Sequence, residues 1–259
     1  MRVDIAVIGG TGIDEIMEVN SMSTLTTRFG QAQIIYGRLN GIDLLFVPRH
    51  GSDHSVPPSM IDYRAQIAAI RKLGVTRVIG ICAVGSLKKN LPPGSFAILG
   101  DFIDLTRKRV DTFFDDPEGP VVHTDFTLPY CPEMSEALSM ACGQAGVEFV
   151  SGAVYAGVEG PRYESPAEIR LYASWGAHVI GMTNIPEVIL AKEAGLCYGA
   201  MGVVTNMASG ISPTPLSHDE VREAMTSASK KLADVLRIAL ENIPVERACT
   251  CASNKALVF

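Results

Sequence analysis

The sequence has no excess of positive charge. Its 259 residues carry 22 Lys and Arg against 28 Asp and Glu, a formal net charge of −6, and only 19% of them are charged. A nucleic-acid binder needs a basic footprint to neutralise phosphates, so this balance argues against that class, while a small anion held by a few local cations stays possible. Apolar runs are also short. None approaches the roughly 20 residues a helical membrane span requires. The opening MRVDIAVIGG is a charged start running into a strand rather than a signal peptide, and a cytoplasmic location is the expectation. The six cysteines include no CxxC pair, which argues against zinc, and no metal is expected. Reduced thiols are the first reading where no secretion signal is present. Cys249-Thr250-Cys251 stands apart, as either two exposed thiols on a frayed end or a disulfide pin. Internal repeats, low-complexity tracts and linkers are missing too. One domain over 1–259, with 249–259 as a tail, fits this length.

What is present is concentrated in residues 152–210. Apolar, strand-like or helical sequence is interrupted there by three polar points: Glu159-Gly160-Pro161-Arg162-Tyr163-Glu164, then Gly181-Met182-Thr183-Asn184, then Thr205-Asn206. Each follows an apolar segment (AVYAGV, AHVIGM, YGAMGVV). In open α/β sheets ligands sit beyond the carboxyl ends of strands, so three such ends together read as one pocket wall. Taken singly, each is ordinary strand-to-loop chemistry, because Gly, Pro, Asn and Ser are turn residues.

The remaining segments follow the same alternation. Residues 4–8 form a strand that closes on Gly9-Gly10-Thr11-Gly12. Those glycines allow a close ligand approach, although the motif is neither a Walker A nor a GxGxxG. Residues 31–39 and 42–47 predict a hairpin around Asn40-Gly41. After it come Pro48-Arg49-His50-Gly51. Arg and His together suit an oxyanion, the guanidinium by bidentate contact and the imidazole as a donor; a solvated loop is the competing reading. Helices are predicted over 57–73, 132–145, 166–175, 186–194 and 217–243, several with Pro in the first turn. Strands are predicted over 76–83 and 95–105. The polar, aromatic stretch 107–129 is too long for a simple connector and reads as functional or interfacial. The alternation predicts a single α/β domain.

Six motifs, in order along nearly the whole chain, resemble one family: IGGTG, PRHG, AVGSL, VEGPRYES, GMTNIPEVILAKEAGLCY and VVTN. They are similar to the trimeric purine nucleoside phosphorylases and methylthioadenosine phosphorylases. The resemblance implies a mixed, twisted central β-sheet flanked by helices. It also implies a homotrimer or a dimer of trimers with sites at subunit interfaces, and no cofactor beyond inorganic phosphate as co-substrate. Phosphate holding would fall to Gly10, Thr11, Arg49, His50, Ala83 through its backbone, and Thr183. Met182 would pack under the sugar, and His123 would reach a neighbouring subunit's sugar pocket. Cys82 stands where the family often has Thr or Asn, and a thiol is a poorer donor, so no role is assigned to it.

The base-reading positions depart from the methylthioadenosine pattern. They are Glu164, Asn206 and Ala208 where that branch has Ser, Asp and Asp, and so resemble 6-oxopurine enzymes. The physical reason is donor–acceptor matching. A carboxylate accepts the N1–H of hypoxanthine or guanine. An Asn amide donates to O6 while its carbonyl takes a proton from N7. Adenine would turn an acceptor toward Glu164 and leave it unpaired. His218 falls where methylthio-specific relatives carry an apolar side chain, and imidazole suits a 5′-hydroxyl better than a thioether. The expected reaction is phosphate-dependent cleavage of inosine or guanosine to free base and ribose 1-phosphate in purine salvage, with Asn206, Glu164 and His50 central. Methylthioinosine or methylthioadenosine cleavage is the alternative within the family. Outside it stand a dinucleotide-dependent oxidoreductase, which lacks its third glycine and acidic residue, and a non-catalytic nucleotide-binding module.

Overall fold

The computed structural model describes residues 3–10, 16–52 and 55–253. Nine strands form one mixed sheet: β1 (Ile5–Gly9), β2 (Glu18–Thr27), β3 (Gly30–Leu39), β4 (Ile42–Pro48), β5 (Arg77–Ser86), β6 (Phe96–Leu105), β7 (Phe149–Val158), β8 (Val179–Gly181) and β9 (Cys197–Met207). Five helices flank it: α1 (Tyr63–Lys72), α2 (Pro132–Gln144), α3 (Pro166–Ser174), α4 (Asn184–Glu193) and α5 (His218–Asn242). The expected mixed α/β sheet flanked by helices is therefore what the chain forms. Strand order is β2-β3-β4-β1-β5-β8-β7-β6-β9, and β9 also pairs in parallel with β5. The sheet thus closes on itself through β5, β8, β7, β6 and β9, while β2, β3, β4 and β1 extend it to one side.

Local chemistry explains these elements. The β3–β4 hairpin turns at Asn40 (φ 49°) and Gly41 (φ 85°), the pair of left-handed residues a type I′ turn requires. β5 and β9 are buried along almost their whole length, as central strands covered on both faces must be. Two large apolar cores and a smaller one lie around the sheet among the described residues. One gathers Ile67 and Ile70 of α1 with Val188 and Leu190 of α4. The other gathers Leu138 of α2 with Leu232, Val235 and Leu236 of α5.

Two sequence expectations need correction. The helix predicted from residue 57 is a short 3₁₀ turn at Pro58–Met60, followed by α1 from Tyr63. Asp62 caps α1 by accepting from the Ala65 N–H, so the helix starts at the carboxylate rather than at the prolines, and Ile61 precedes it. Strand β2 was not foreseen, because its residues are mostly exposed and carry no apolar alternation.

Candidate active site

The topology brings the carboxyl ends of the parallel strands together. β1 and β4 run in parallel with Gly9 beside Pro48, and the Arg49 N–H donates to the Gly9 carbonyl at 2.8 Å. The glycine turn and the Arg-His pair are thereby neighbours. On the other side, Gly85 of β5 lies opposite both Ile180 of β8 and Asn206 of β9. Between these ends is a cleft of about 510 Å³.

Its walls contain most of the residues expected from the sequence. Gly10, Arg49, His50, Ala83 and Thr183 line one part, and Glu164, Met182, Asn206 and His218 line the rest. Thr11 lies outside the described residues. His123 is exposed and is not among the residues lining this cleft. The single chain therefore unites the phosphate and base sets but not His123.

Arg49 is held differently from the sequence expectation of a bidentate oxyanion grip. Its Nε donates to Glu187 Oε2 at 2.6 Å and its Nη2 to Oε1 at 2.9 Å. Nη2 also donates to the Ile8 carbonyl at 3.2 Å and Nη1 to the Ile81 carbonyl at 2.7 Å. Of the five guanidinium N–H groups, this leaves one on Nη1. The fork geometry is thus used internally, and both side chains are 1% exposed. Burial pulls the Arg49 pKa down, but the charge and hydrogen bonds of Glu187 outweigh it and the net shift is upward. The cation is permanent, and its field is available at the cleft.

Glu187 belongs to a buried chain of polar groups. Tyr198 Oη donates to Glu187 Oε1 at 2.6 Å, Asn184 Nδ2 donates to Tyr198 Oη at 2.8 Å, and Tyr130 Oη donates to Asn184 Oδ1 at 2.6 Å. The backbone N–H groups of Thr183 and Asn184 both donate to Tyr155 Oη, at 3.1 and 3.3 Å. This network fixes Thr183 at the start of α4. Gly80 is required beside it, since a Cβ there would overlap the Tyr198 hydroxyl and press on Glu187. Of these supporting residues only Asn184 was singled out from sequence, as the last of the Gly181–Asn184 polar point. The motif that carries Asn184 and Glu187 was visible, but their partners lie far away along the chain.

The end that the sequence leads one to expect at the base is semi-buried. Glu164 is 8% exposed, and burial raises its carboxyl pKa. Asn206 Oδ1 accepts from Thr205 Oγ1 at 2.9 Å, and its Nδ2 donates to the Met207 carbonyl at 3.0 Å. That orients the amide and leaves its second N–H for a ligand. The other acid of the motif, Glu159, takes the backbone N–H of Arg107 at 2.7 Å and of Lys108 at 3.2 Å and anchors the 107–109 segment outside the cleft. Arg162 pairs with Glu168 at 2.7 Å and is 66% exposed, so this cation of the motif is structural. It supports the capping box in which Ser165 and Glu168 start α3.

His50 Nδ1 is 2.8 Å from the Val56 carbonyl. That contact makes Nδ1 the protonated nitrogen and orients the ring. Cys82 is buried, and burial pushes its thiol up to about 12. It stays protonated and contacts the Met201 carbonyl at 3.8 Å, and the residue lines the cleft.

Sequence and structure comparisons point the same way. Residues 4–241 match the family described as the Phosphorylase superfamily. A probable 6-oxopurine nucleoside phosphorylase of Moorella thermoacetica is 47% identical over 96% of each chain. A probable S-methyl-5′-thioinosine phosphorylase of Methanothermobacter thermautotrophicus is 43% identical, over 95% of this chain and 87% of its own. An adenosine/methylthioadenosine phosphorylase of Schistosoma mansoni, solved in complex with methylthioadenosine, superposes with a TM-score of 0.90 at 28% identity, covering 98% of this chain and 96% of that one. With the match running through every strand of the closed sheet, this chain belongs to the phosphorylase superfamily.

Proposed function

We propose that this protein is a 6-oxopurine nucleoside phosphorylase, a pentosyltransferase that cleaves inosine or guanosine with inorganic phosphate. The observation that carries this reading is the half-open cleft in which a buried carboxylate, Glu164, and an oriented amide, Asn206, stand in the same wall. Phosphorolysis needs a phosphate held facing the anomeric carbon and stabilisation of the purine as negative charge grows on it. Gly10, His50, Ala83 and Thr183 supply the phosphate pocket, and Thr11 belongs to the same turn by sequence. Arg49 supplies a fixed positive field and one remaining N–H. Preorganised charge of this kind is the main catalytic device available, and positioning in the cleft adds to it. As the bond to the sugar breaks, Asn206 donates to O6, and once solvent delivers a proton to N7, Asn206 Oδ1 accepts a hydrogen bond from that N–H. Glu164 accepts from N1–H. Met182 packs under the ribose. No covalent enzyme intermediate and no cofactor enter this scheme.

A second reading concerns the 5′ substituent. Leu216, Val221 and Met225 line the cleft beside His218, an apolar group that would also accommodate a methylthio group. The base set is the same for inosine and methylthioinosine. His218 favours the hydroxyl.

Assembly and location belong to the same proposal. Segment 107–129 exposes Val110 (46%), Val121 (82%) and Leu128 (56%), together with His123, and fits a homotrimeric contact in which His123 reaches a neighbour's ribose. Light scattering with activity of mixed His123→Ala and parent subunits tests it. Among the described residues no helix is long and apolar enough to cross a membrane, and a cytoplasmic purine-salvage role fits the six free thiols. The deciding experiment is base release from inosine, guanosine, adenosine, methylthioinosine and methylthioadenosine with and without phosphate. Phosphate-dependent turnover led by inosine or guanosine is expected. Base release at the same rate without phosphate would mean a hydrolase and overturn the reading.

A further inference from the structure

Four of the six cysteines converge far from one another in sequence. The Sγ atoms of Cys131, Cys197, Cys249 and Cys251 all lie within 4.8 Å of one another, and none of these residues lines the cleft. Cys131 is the residue before α2, Cys197 opens β9, and Cys249 and Cys251 come from the segment after α5. We propose that these four thiolates form a structural zinc site that fastens the C-terminal segment to the starts of α2 and β9.

The geometry suits that ion. In a tetrahedral site with Zn–S near 2.3 Å, sulfurs stand about 3.8 Å apart. The Cys197–Cys249 pair is at 3.3 Å, so closure around an ion needs shifts of about an ångström or less. Two disulfides would instead sort the sulfurs into two pairs, whereas all four are mutually within reach. All six cysteines are free thiols. Softness agrees as well, since an all-sulfur tetrahedral set selects zinc over harder cations.

The surroundings hold the ligands in place without the metal. The Cys131 N–H donates to the Tyr198 carbonyl at 2.8 Å, tying the start of α2 to the start of β9. The Ala248 N–H donates to Glu133 Oε1 at 2.8 Å, and Arg77 Nη2 donates to the Val245 carbonyl at 2.8 Å. These contacts lead the chain end back onto the sheet. Arg247 Nη1 lies 3.9 Å from Cys197 Sγ. Four thiols that bind Zn²⁺ release four protons and leave a net charge of −2, which a neighbouring guanidinium offsets. Cys131, Cys197 and Cys251 are buried and Cys249 is half-buried. That matches a closed structural site rather than a catalytic one with an open position. The Cys-Thr-Cys spacing is shorter than the usual two to four or so intervening residues. A search for CxxC therefore passes over it, and the other two ligands are reached only through the fold.

The test is metal content of the full chain, purified under reductant from zinc-supplemented medium without chelator. The expected result is about one zinc per chain. Zinc affinity, read by competition with a chelator, should fall at least about tenfold in Cys249→Ser and Cys251→Ser, since even residues that only support metal ligands cost that much in affinity. Cys142→Ala, whose thiol is not one of the four converging sulfurs, should keep the parent's zinc. Should a serine variant fail to fold, cobalt(II) titration of the parent decides, with thiolate-to-cobalt charge-transfer and tetrahedral d–d bands expected. A parent that holds no zinc and shows no cobalt bands overturns the site, as does zinc affinity equal in the parent and both serine variants. A mass lowered by two hydrogens per bridge in the non-reduced parent would overturn it in favour of disulfides. Phosphorolysis assayed in parallel separates this outcome from the catalytic reading.

Discussion

Arg49 and Glu187 form a two-point ion pair, with Nε–Oε2 at 2.6 Å and Nη2–Oε1 at 2.9 Å, although 138 residues separate them. The pair explains how a permanently charged guanidinium can stay buried beside the cleft. Breaking it by Glu187→Ala leaves an uncompensated buried charge, for which a loss of about 3–5 kcal/mol is expected. Replacing both partners by apolar residues of similar size, Arg49→Met with Glu187→Leu, should recover most of that stability and none of the activity. Arg49→Lys keeps the charge and loses the fork, so its apparent KM for phosphate should rise. Urea unfolding together with phosphate-dependence kinetics checks all three. A double variant less stable than Glu187→Ala would refute the pairing argument.

Glu164 sets stability against function. Its folded pKa is raised because burial disfavours the carboxylate. The sign follows from linkage: such a group contributes most when protonated, and that contribution is lost as pH rises through the raised pKa. At neutral pH the ionised side chain therefore costs stability, and Glu164→Gln should raise the melting temperature. The benefit should shrink in mild acid. The same change should lower kcat/KM for inosine, because the amide presents no charged acceptor to N1–H. Melting curves and kcat/KM across acid to neutral pH give both readouts. A melting temperature unchanged at neutral pH would show that Glu164 is solvated in the free protein.

How far the sequence was legible depends on the range over which each signal acts. The hairpin at Asn40-Gly41 and the start of the last helix near residue 217 are local chemistry, and both stand where expected. The strand ends that make the cleft were visible as apolar runs closing on polar residues. Closure of the sheet was not, because β5 and β9 pair between residues more than a hundred positions apart, such as Val78 with Tyr198. Glu187 was hidden for the same reason: its motif is conspicuous, but only the fold places Arg49 and Tyr198 against it. Glu159 and Arg162 show the converse. They looked like site residues by position and type, yet their charges are spent on the 107–109 segment and on Glu168.

Selectivity between 6-oxo and 6-amino purines should rest on Asn206 as well. Asn206→Asp removes the donor to O6 and places a carboxylate against it, while an N6 amino group could still donate to that carboxylate. The ratio of kcat/KM for inosine over adenosine should fall, and Glu164→Ser added to it should lower the ratio further. A matched polar set can discriminate by about 10⁴–10⁵, which bounds the total shift. The two effects need not add, because both residues touch one base. An unchanged ratio in both variants would remove these residues from base recognition.

The 5′ preference is the sharpest question left to His218. This residue begins α5 at the cleft mouth, exposed in the isolated chain, with Val221 one turn further along the same helix face at (i, i+3) and Met225 beyond it, both lining the cleft. A 5′-hydroxyl can bond the imidazole, whereas a methylthio group has only a weak acceptor. Its methyl and sulfur match the apolar pair instead. His218→Leu should therefore leave phosphate KM unchanged and lower kcat/KM for inosine by about tenfold, the loss of one hydrogen bond worth ~1.4 kcal/mol. The same variant should hold or raise kcat/KM for methylthioinosine, because it extends the apolar surface. His218→Gln retains a donor and should recover part of the inosine activity, which a purely steric role would not allow. The measurement is the inosine-to-methylthioinosine ratio in the parent and both variants. If Leu and Gln lower both substrates equally, His218 shapes the start of α5 and does not read the sugar.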